Sequence, residues 1–428
     1  MVLKAVSIVV PAQFLKLILS LGLQILIARM LLPDGRGVYG ICIATSTVLL
    51  VATFFGNEFG IRYLLVRKRI TSAQAFRYLV LTATLAFMIT LALAWALIHF
   101  DIWLAERVTW AQLAIASGLA FSQLVTTQIN VFMTISGRYL SASVLAVAEE
   151  ALKLGAMVAL LVAFPSVEMA LGGAILGNLV VATFSSVRYK FYRKDYRALR
   201  LRDLVFIYRY GLRSLWLNLS NLSNAHMGTL ALSGLMSNER LGIYNLAFAL
   251  IAKVQVFPDA LNRVLVPASM TNRDGDSRFQ MVRISVTGLL VFSLLVVPVL
   301  GFWSKPIITL LFGIEYVDSG PIAFILFVGF AFKIIGKPLE AHFNEVVGRP
   351  ALVAGIQFFS MTMMIALTYF GAVSHGLIGA AIGSATAIAL GGFALFLAYA
   401  RSSGRSLLSP INFASLLGRV RQIAARIR

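Results

Sequence analysis

The chain has 428 residues, 59% of them hydrophobic and 13% charged, with a mean hydropathy of +0.87 and a formal net charge of +20. So apolar a composition excludes an ordinary soluble domain. The single cysteine, Cys42, excludes an intrachain disulfide and a cysteine-based metal cluster.

A bilayer core takes about 20 mostly apolar residues per helical span. Runs of that kind place spans at 6–30, 38–60, 76–100, 110–134, 140–164, 169–187, 211–235, 241–265, 284–304, 320–343, 351–373 and 377–400. The runs are continuous and too long for barrel strands, so the expected fold is all-α and polytopic, with twelve transmembrane helices. Only Lys4 precedes the first run and no small-residue cleavage site follows it, which reads as a span rather than a signal peptide.

The basic residues set the topology. With the N-terminus in the cytoplasm, 27 of the 37 Lys and Arg fall on the cytoplasmic side. Five (Arg29, Arg36, Arg107, Arg240 and Lys305) fall on the other, and five lie within spans. Both termini are therefore expected in the cytoplasm. The charge is topological and implies no nucleic-acid partner.

The first span puts Gln13, Lys16, Ser20 and Gln24 on one helix face. It ends in "IARMLLPDGRGVYG" (27–40), where Arg29 is expected near the outer interface and Pro33-Asp34-Gly35 to turn the chain back. The second span carries Asn57 and Glu58, with Arg62 at its cytoplasmic end. In the fifth, Glu149 and Lys153 are four apart and expected to pair, with Glu150 beside them. A basic linker, 188–210, then leads to a seventh span bearing Asn218, Asn221, Asn224 and His226. The eighth carries Lys253 and Asp259, and the tenth Lys333, Lys337 and Glu340, of which the last two are spaced to pair. Residues 401–428 read as a basic amphipathic tail attracted to anionic inner-leaflet lipids.

The chain also repeats. "GRGVYG" (35–40) returns as "RLGIYN" (240–245) at an offset of 205, and "SGRYLSASVL" (136–145) as "VGRPALVAGI" (347–356) at 211. Both echoes fall in equivalent loops. The organisation expected is a six-helix lobe over 1–187, the linker, a second six-helix lobe over 211–400, and the tail, with the lobes related by a pseudo-two-fold axis along the membrane normal.

Charges at membrane depth face a cavity or a partner. The polar stripes of the first, second, seventh and eighth spans suggest a shared cavity, against a plainer reading as interhelical hydrogen bonding. Gln13, Lys16, Gln24, Arg62, Asn218, Asn221, Asn224 and Lys253 are the candidate substrate-binding residues. Arg29, Glu58, Glu149, His226 and Asp259 are candidates for gating or coupling. The sequence has no phosphate-binding G-x-x-x-x-G-K-[ST] loop, no H-E-x-x-H spacing and no sizeable external loop on which to build a catalytic site. No catalytic or metal-binding residues, and no cofactor, are therefore expected.

"IARMLLPDGRGVYG", "IITLLFGIEYVDSGPIAFIL" (307–326) and "NEVVGRPALVAG" (344–355) resemble segments of the polysaccharide flippases in the multidrug/oligosaccharidyl-lipid/polysaccharide exporter superfamily. With twelve spans in two halves, the resemblance covers residues 1–400. It implies two lobes around a cavity lined by the first, second, seventh and eighth spans. It also implies alternating access that carries an undecaprenyl-pyrophosphate-linked oligosaccharide from the cytoplasmic to the outer leaflet for O-antigen, capsule or exopolysaccharide assembly. Membrane lipids, a polysaccharide polymerase and a chain-length regulator are the partners to expect, and H+ or Na+ the coupling ion to test. The Lys and Arg candidates suit a pyrophosphate and the amides suit a sugar. A cation or drug antiporter of the same fold is the main alternative, although Lys16, Lys253 and Arg62 give the polar stripes a positive balance. A membrane glycan polymerase would want longer outer loops, and a peptidoglycan-precursor flippase two more spans.

Overall fold

The structure is a computed structural model that describes residues 2–100, 104, 106–188, 200–255, 275–343, 347, 349–404, 406 and 409–411. Side chains are described for all of these except 2–10, 214, 216–225, 275–278 and 281. Every long element is a helix: α1 (Val2–Phe54), α2 (Asn57–Val66), α3 (Ser72–His99), α4 (Trp110–Ile135), α5 (Tyr139–Ala163), α6 (Val167–Arg188), α7 (Leu201–Ser233), α8 (Asn238–Val254), α9 (Gly275–Phe312), α10 (Ser319–Ala341) and α11 (Pro350–Ser403). Six of them are long and apolar enough to cross a membrane by length and composition. Two of these six, α1 and α11, are each a pair of spans joined at a break. The chain is a multi-pass helical membrane protein.

The breaks differ from the turns expected. In α1 only Leu32 leaves helical geometry (φ 55°, ψ 177°). Pro33-Asp34-Gly35, expected to turn the chain, instead opens the next helical limb. Proline suits a first helical position because its missing N–H has no partner to lose there, and an aspartate in the first turn complements the helix dipole. A second break, at Phe55 and Gly56, separates α1 from α2, and a third, at His375 and Gly376, divides α11. Elsewhere the ends follow local chemistry. Thr71-x-x-Gln74 and Thr109-x-x-Gln112 form capping boxes that start α3 and α4. Gly313, at φ 110°, makes the turn after α9 in a region that side chains rarely adopt.

The repeat is visible in the element boundaries. The limb of α1 that begins at Pro33 and the helix that begins at Asn238 are separated by the first of the two sequence offsets. Tyr139, which opens α5, and Pro350, which opens α11, are separated by the second. That second offset also carries Phe164, just past α5, onto the break at His375.

Two compact units form: Met1–Leu222 with Leu232–Leu246, and Ser223–Ala231 with Ala247–Arg428. In the first, Phe54, Ile61, Tyr78, Phe132 and Ile207 meet in a buried core that ties α1–α4 to the start of α7. Gly173 and Gly177, four apart, bring α6 onto the backbone of α5 at Met157 and Lys153. Small residues at such spacing let membrane helices approach closely. In the second unit, Val286, Leu339, Phe343, Val353 and Tyr399 join α9, α10 and α11.

Candidate functional site

Among the described residues, a buried cluster of charged side chains lies where α1 meets α5. Lys153 Nζ stands 2.6 Å from Glu149 Oε1 and 3.8 Å from Glu150 Oε1, and Lys16 Nζ of α1 stands 3.6 Å from the same Glu150 oxygen. The Thr126 hydroxyl of α4 donates to Glu149 at 3.4 Å. The expected Glu149–Lys153 pair is present. The partner found for Lys16 was not expected, since it lies on another helix, far along the chain. Two ammonium groups and two carboxylates make the cluster neutral as a whole. Lys16 is its open edge: its side chain is 35% exposed, against 5–11% for the other three.

The same α1 face is built up at its other end. Gln24 Oε1 accepts from Arg36 Nη2 at 2.6 Å, and the Gln24 carbonyl accepts from Arg36 Nη1 at 3.4 Å. Arg36 is buried and spans the break at Leu32, so it staples one limb of α1 to the next. Gln13 is half-buried and Arg29 exposed.

That corner meets its own repeat. A side chain on Gly37 would overlap the backbone of Asn238, and one on Gly242 the carbonyl of Pro33. Asn238 is the repeat counterpart of Pro33, and Gly242 that of Gly37, so the two contacts are the same contact seen from each copy. Gly40 packs on Asn245, its own counterpart in the repeat. Arg107, before α4, donates to the Met236 carbonyl beside this corner.

Toward the basic end of α2, Glu58 is buried and Arg62, four residues on, interacts with it electrostatically. Arg62 Nε donates to Gln128 Oε1 of α4 at 3.1 Å, and its guanidinium lies over the Phe59 ring at 5.6 Å. In the second unit Lys253 is half-buried in the last turn of α8, and Lys333 Nζ lies 5.7 Å from the Phe330 ring. Glu340 accepts from Gln357 Nε2 of α11 at 2.8 Å. His226 is half-buried on α7. Asn218, Asn221 and Asn224 lie on α7, but their side chains, like Asp259 and residues 412–428 of the tail, lie outside the described residues.

Sequence reasoning singled out Lys16, Gln24, Arg62 and Glu149 and paired Glu149 with Lys153, but it missed the partners of Lys16, Gln24 and Arg62. Arg36 read only as an outer-loop charge, and Gln128 is one amide in an apolar helix. Glu150 was the readable one, because its position beside Glu149 lets Lys153 reach both carboxylates.

The fold is that of transporters. An inward-facing multidrug-resistance MATE family transporter of the MOP superfamily is similar over 91% of this chain and 94% of its own, at 16% identity and a TM-score of 0.65. An inward closed conformation of the lipid II flippase MurJ is similar over 97% and 91%, at 12% identity and a TM-score of 0.73. At such identities the likeness speaks to fold alone. Sequence carries the rest: residues 26–321 match the model of a family described as polysaccharide biosynthesis protein, and the chain belongs to that family. A Shigella flexneri protein named as an O-antigen transporter is 24% identical over 172 residues, spanning 39% of this chain and 41% of that relative. The chain thus matches about two-fifths of the length of that curated relative.

Proposed function

We propose that this protein is a flippase for lipid-linked oligosaccharides. It moves undecaprenyl-pyrophosphate-linked repeat units from the cytoplasmic to the outer leaflet of a bacterial inner membrane by alternating access. The family match over residues 26–321 carries the reading. Kinship to a protein named for O-antigen transport and a fold shared with a lipid flippase agree with it.

The geometry supplies the chemistry. Lys16 is held at the edge of a buried charge cluster, with its ammonium oriented by Glu150 and about a third of its side chain open. A cation so placed meets a pyrophosphate by charge-assisted hydrogen bonds without first being drawn out of a tight pair. Lys253, half-buried in the last turn of α8, is a second candidate cation, and glutamine and asparagine amides suit sugar hydroxyls. A cation antiporter would want free carboxylates at this depth, whereas Glu149 and Glu150 each already face a lysine.

The test is a strain lacking the gene. Lipid-linked repeat units should accumulate while surface polysaccharide disappears, and the wild-type gene should reverse both. A Lys16→Ala/Lys253→Ala variant, made at normal level in the membrane, should not reverse them. Normal lipid-linked pools and an intact surface polymer in the deletion strain, with changed resistance to cationic drugs, would sink the flippase reading in favour of the antiporter.

A further inference from the structure

The base of α7 carries a second basic site, separate from the Lys16 cluster. Tyr63 of α2 packs its ring against Phe206 at 5.6 Å and Tyr210 at 5.2 Å, and Phe206 stacks on Tyr210 at 5.7 Å. The three rings form a wall whose position is set by backbone. A side chain on Gly60 would come within 2.8 Å of Ile207 Cα, and one on Gly211 within 2.5 Å of the Phe55 carbonyl. The wall therefore belongs to two helices in close contact rather than to a loop.

Arg209 and Arg213 stand on the same face, one turn apart. With Phe206 and Tyr210 they line a shallow cleft of about 240 Å³. Both arginines are exposed, and neither makes an ion pair with a carboxylate among the described residues. The nearby Asp203 is engaged elsewhere, accepting from the Tyr78 hydroxyl at 3.3 Å. Arg67 adds a third guanidinium, 5.6 Å from the Tyr63 ring. Beside the cleft, Val205 is 58% exposed and Leu212 56%. In a membrane protein, open aliphatic side chains of this kind face acyl chains.

Two guanidinium forks, an aromatic wall and an adjoining aliphatic strip are the three parts needed to hold one lipid molecule. The forks take a phosphate through paired N–H donors. Aromatic rings favour the depth at which headgroups meet hydrocarbon. The strip takes the tails. We infer that this cleft binds an anionic glycerophospholipid of the leaflet facing the basic loops, as a resident lipid at the base of α7.

The site is tested with the full chain in detergent micelles, titrated with phosphatidylglycerol or phosphatidylcholine and read by native mass spectrometry. Wild type should hold one phosphatidylglycerol with an affinity that phosphatidylcholine does not match. Arg209→Gln/Arg213→Gln should lose about 10- to 30-fold in that affinity, from two arginines at a lipid surface. Arg209→Lys/Arg213→Lys should recover part of it, since charge returns without the fork. Equal binding of the two lipids by wild type overturns the proposal, and that readout needs no variant to fold. Undiminished phosphatidylglycerol binding by a folded glutamine variant also overturns it. Displacement of the phospholipid by equimolar undecaprenyl pyrophosphate overturns it in favour of a cargo-docking site. None of these readouts depends on whether the protein transports oligosaccharides.

Discussion

Lys153 holds two carboxylates at once, both of them on buried residues. Its ammonium lies between Glu149 and Glu150, and Lys16 takes the outer side of Glu150. Losing one partner of a buried pair leaves the other charge uncompensated, at about 3–5 kcal/mol. Lys153→Met is therefore expected to destabilise the protein by about that much, seen as a lowered melting temperature in detergent. Glu149→Leu made on top of it should recover part of the loss. If Lys153→Met melts with wild type, the cluster does not hold the helices together. Lys16 behaves differently because it is partly open. Lys16→Ala should cost little stability, since exposed pairs contribute about 0–1 kcal/mol, yet abolish repeat-unit export. Stability and export thus separate the two lysines of one cluster.

Among the elements, α1 shows how a break can be fixed by its neighbours. Leu32 sits at φ 55° and ψ 177°, a conformation that costs a non-glycine residue about 1–3 kcal/mol. It persists because Arg36 ties the limb after it to Gln24 on the limb before. Leu32 is 52% exposed, so replacing it with glycine loses little packing. Leu32→Gly is expected to gain about 1 kcal/mol once glycine's added chain entropy is offset. An unchanged or lower melting temperature would show that the break carries no strain. The glycines of the same corner act in the opposite sense. Gly37→Ala and Gly242→Ala each push a methyl into backbone of the other copy, and overpacking of this kind costs about 1–3 kcal/mol. Gly155→Ala on α5, where a methyl meets nothing within 4 Å, should be neutral or stabilising by up to about 1 kcal/mol. Equal effects at all three positions would argue against a tightly packed corner.

At the scale of the whole molecule, the orientation read from basic residues makes a direct prediction. Cys42 is buried, so a Cys42→Ser background is available for single-cysteine reporters. Ser136→Cys, between α4 and α5, should react with a membrane-impermeant maleimide only after the cells are opened. Glu106→Cys, between α3 and α4, should react in intact cells. The reverse pattern would invert the topology and, with it, the direction of transport proposed.

Much of this was legible in the linear chain. Helical class and family membership depend on runs of apolar side chains and on short local segments, and both are properties of consecutive residues. The repeat was legible for the same reason, since an offset is a comparison along the chain. "LFGIEY" was readable as a family segment, and its reason is local too: Gly313 adopts a φ of 110° between a helix and a buried Tyr316. Pro33-Asp34-Gly35 was misread because those residues favour a turn and a helix start equally well. Choosing between the two required Arg36 and Gln24, one on each side of the break. The remaining decisions belonged to tertiary structure alone. Glu150 meets Lys16, Arg62 meets Gln128, and Gly37 meets Asn238, each pair from different helices and far apart in the chain. An apolar run states that a helix lies in the membrane but not which of its faces meets which neighbour. Side-chain periodicity defines a face, and only close packing of one helix on another chooses its partner.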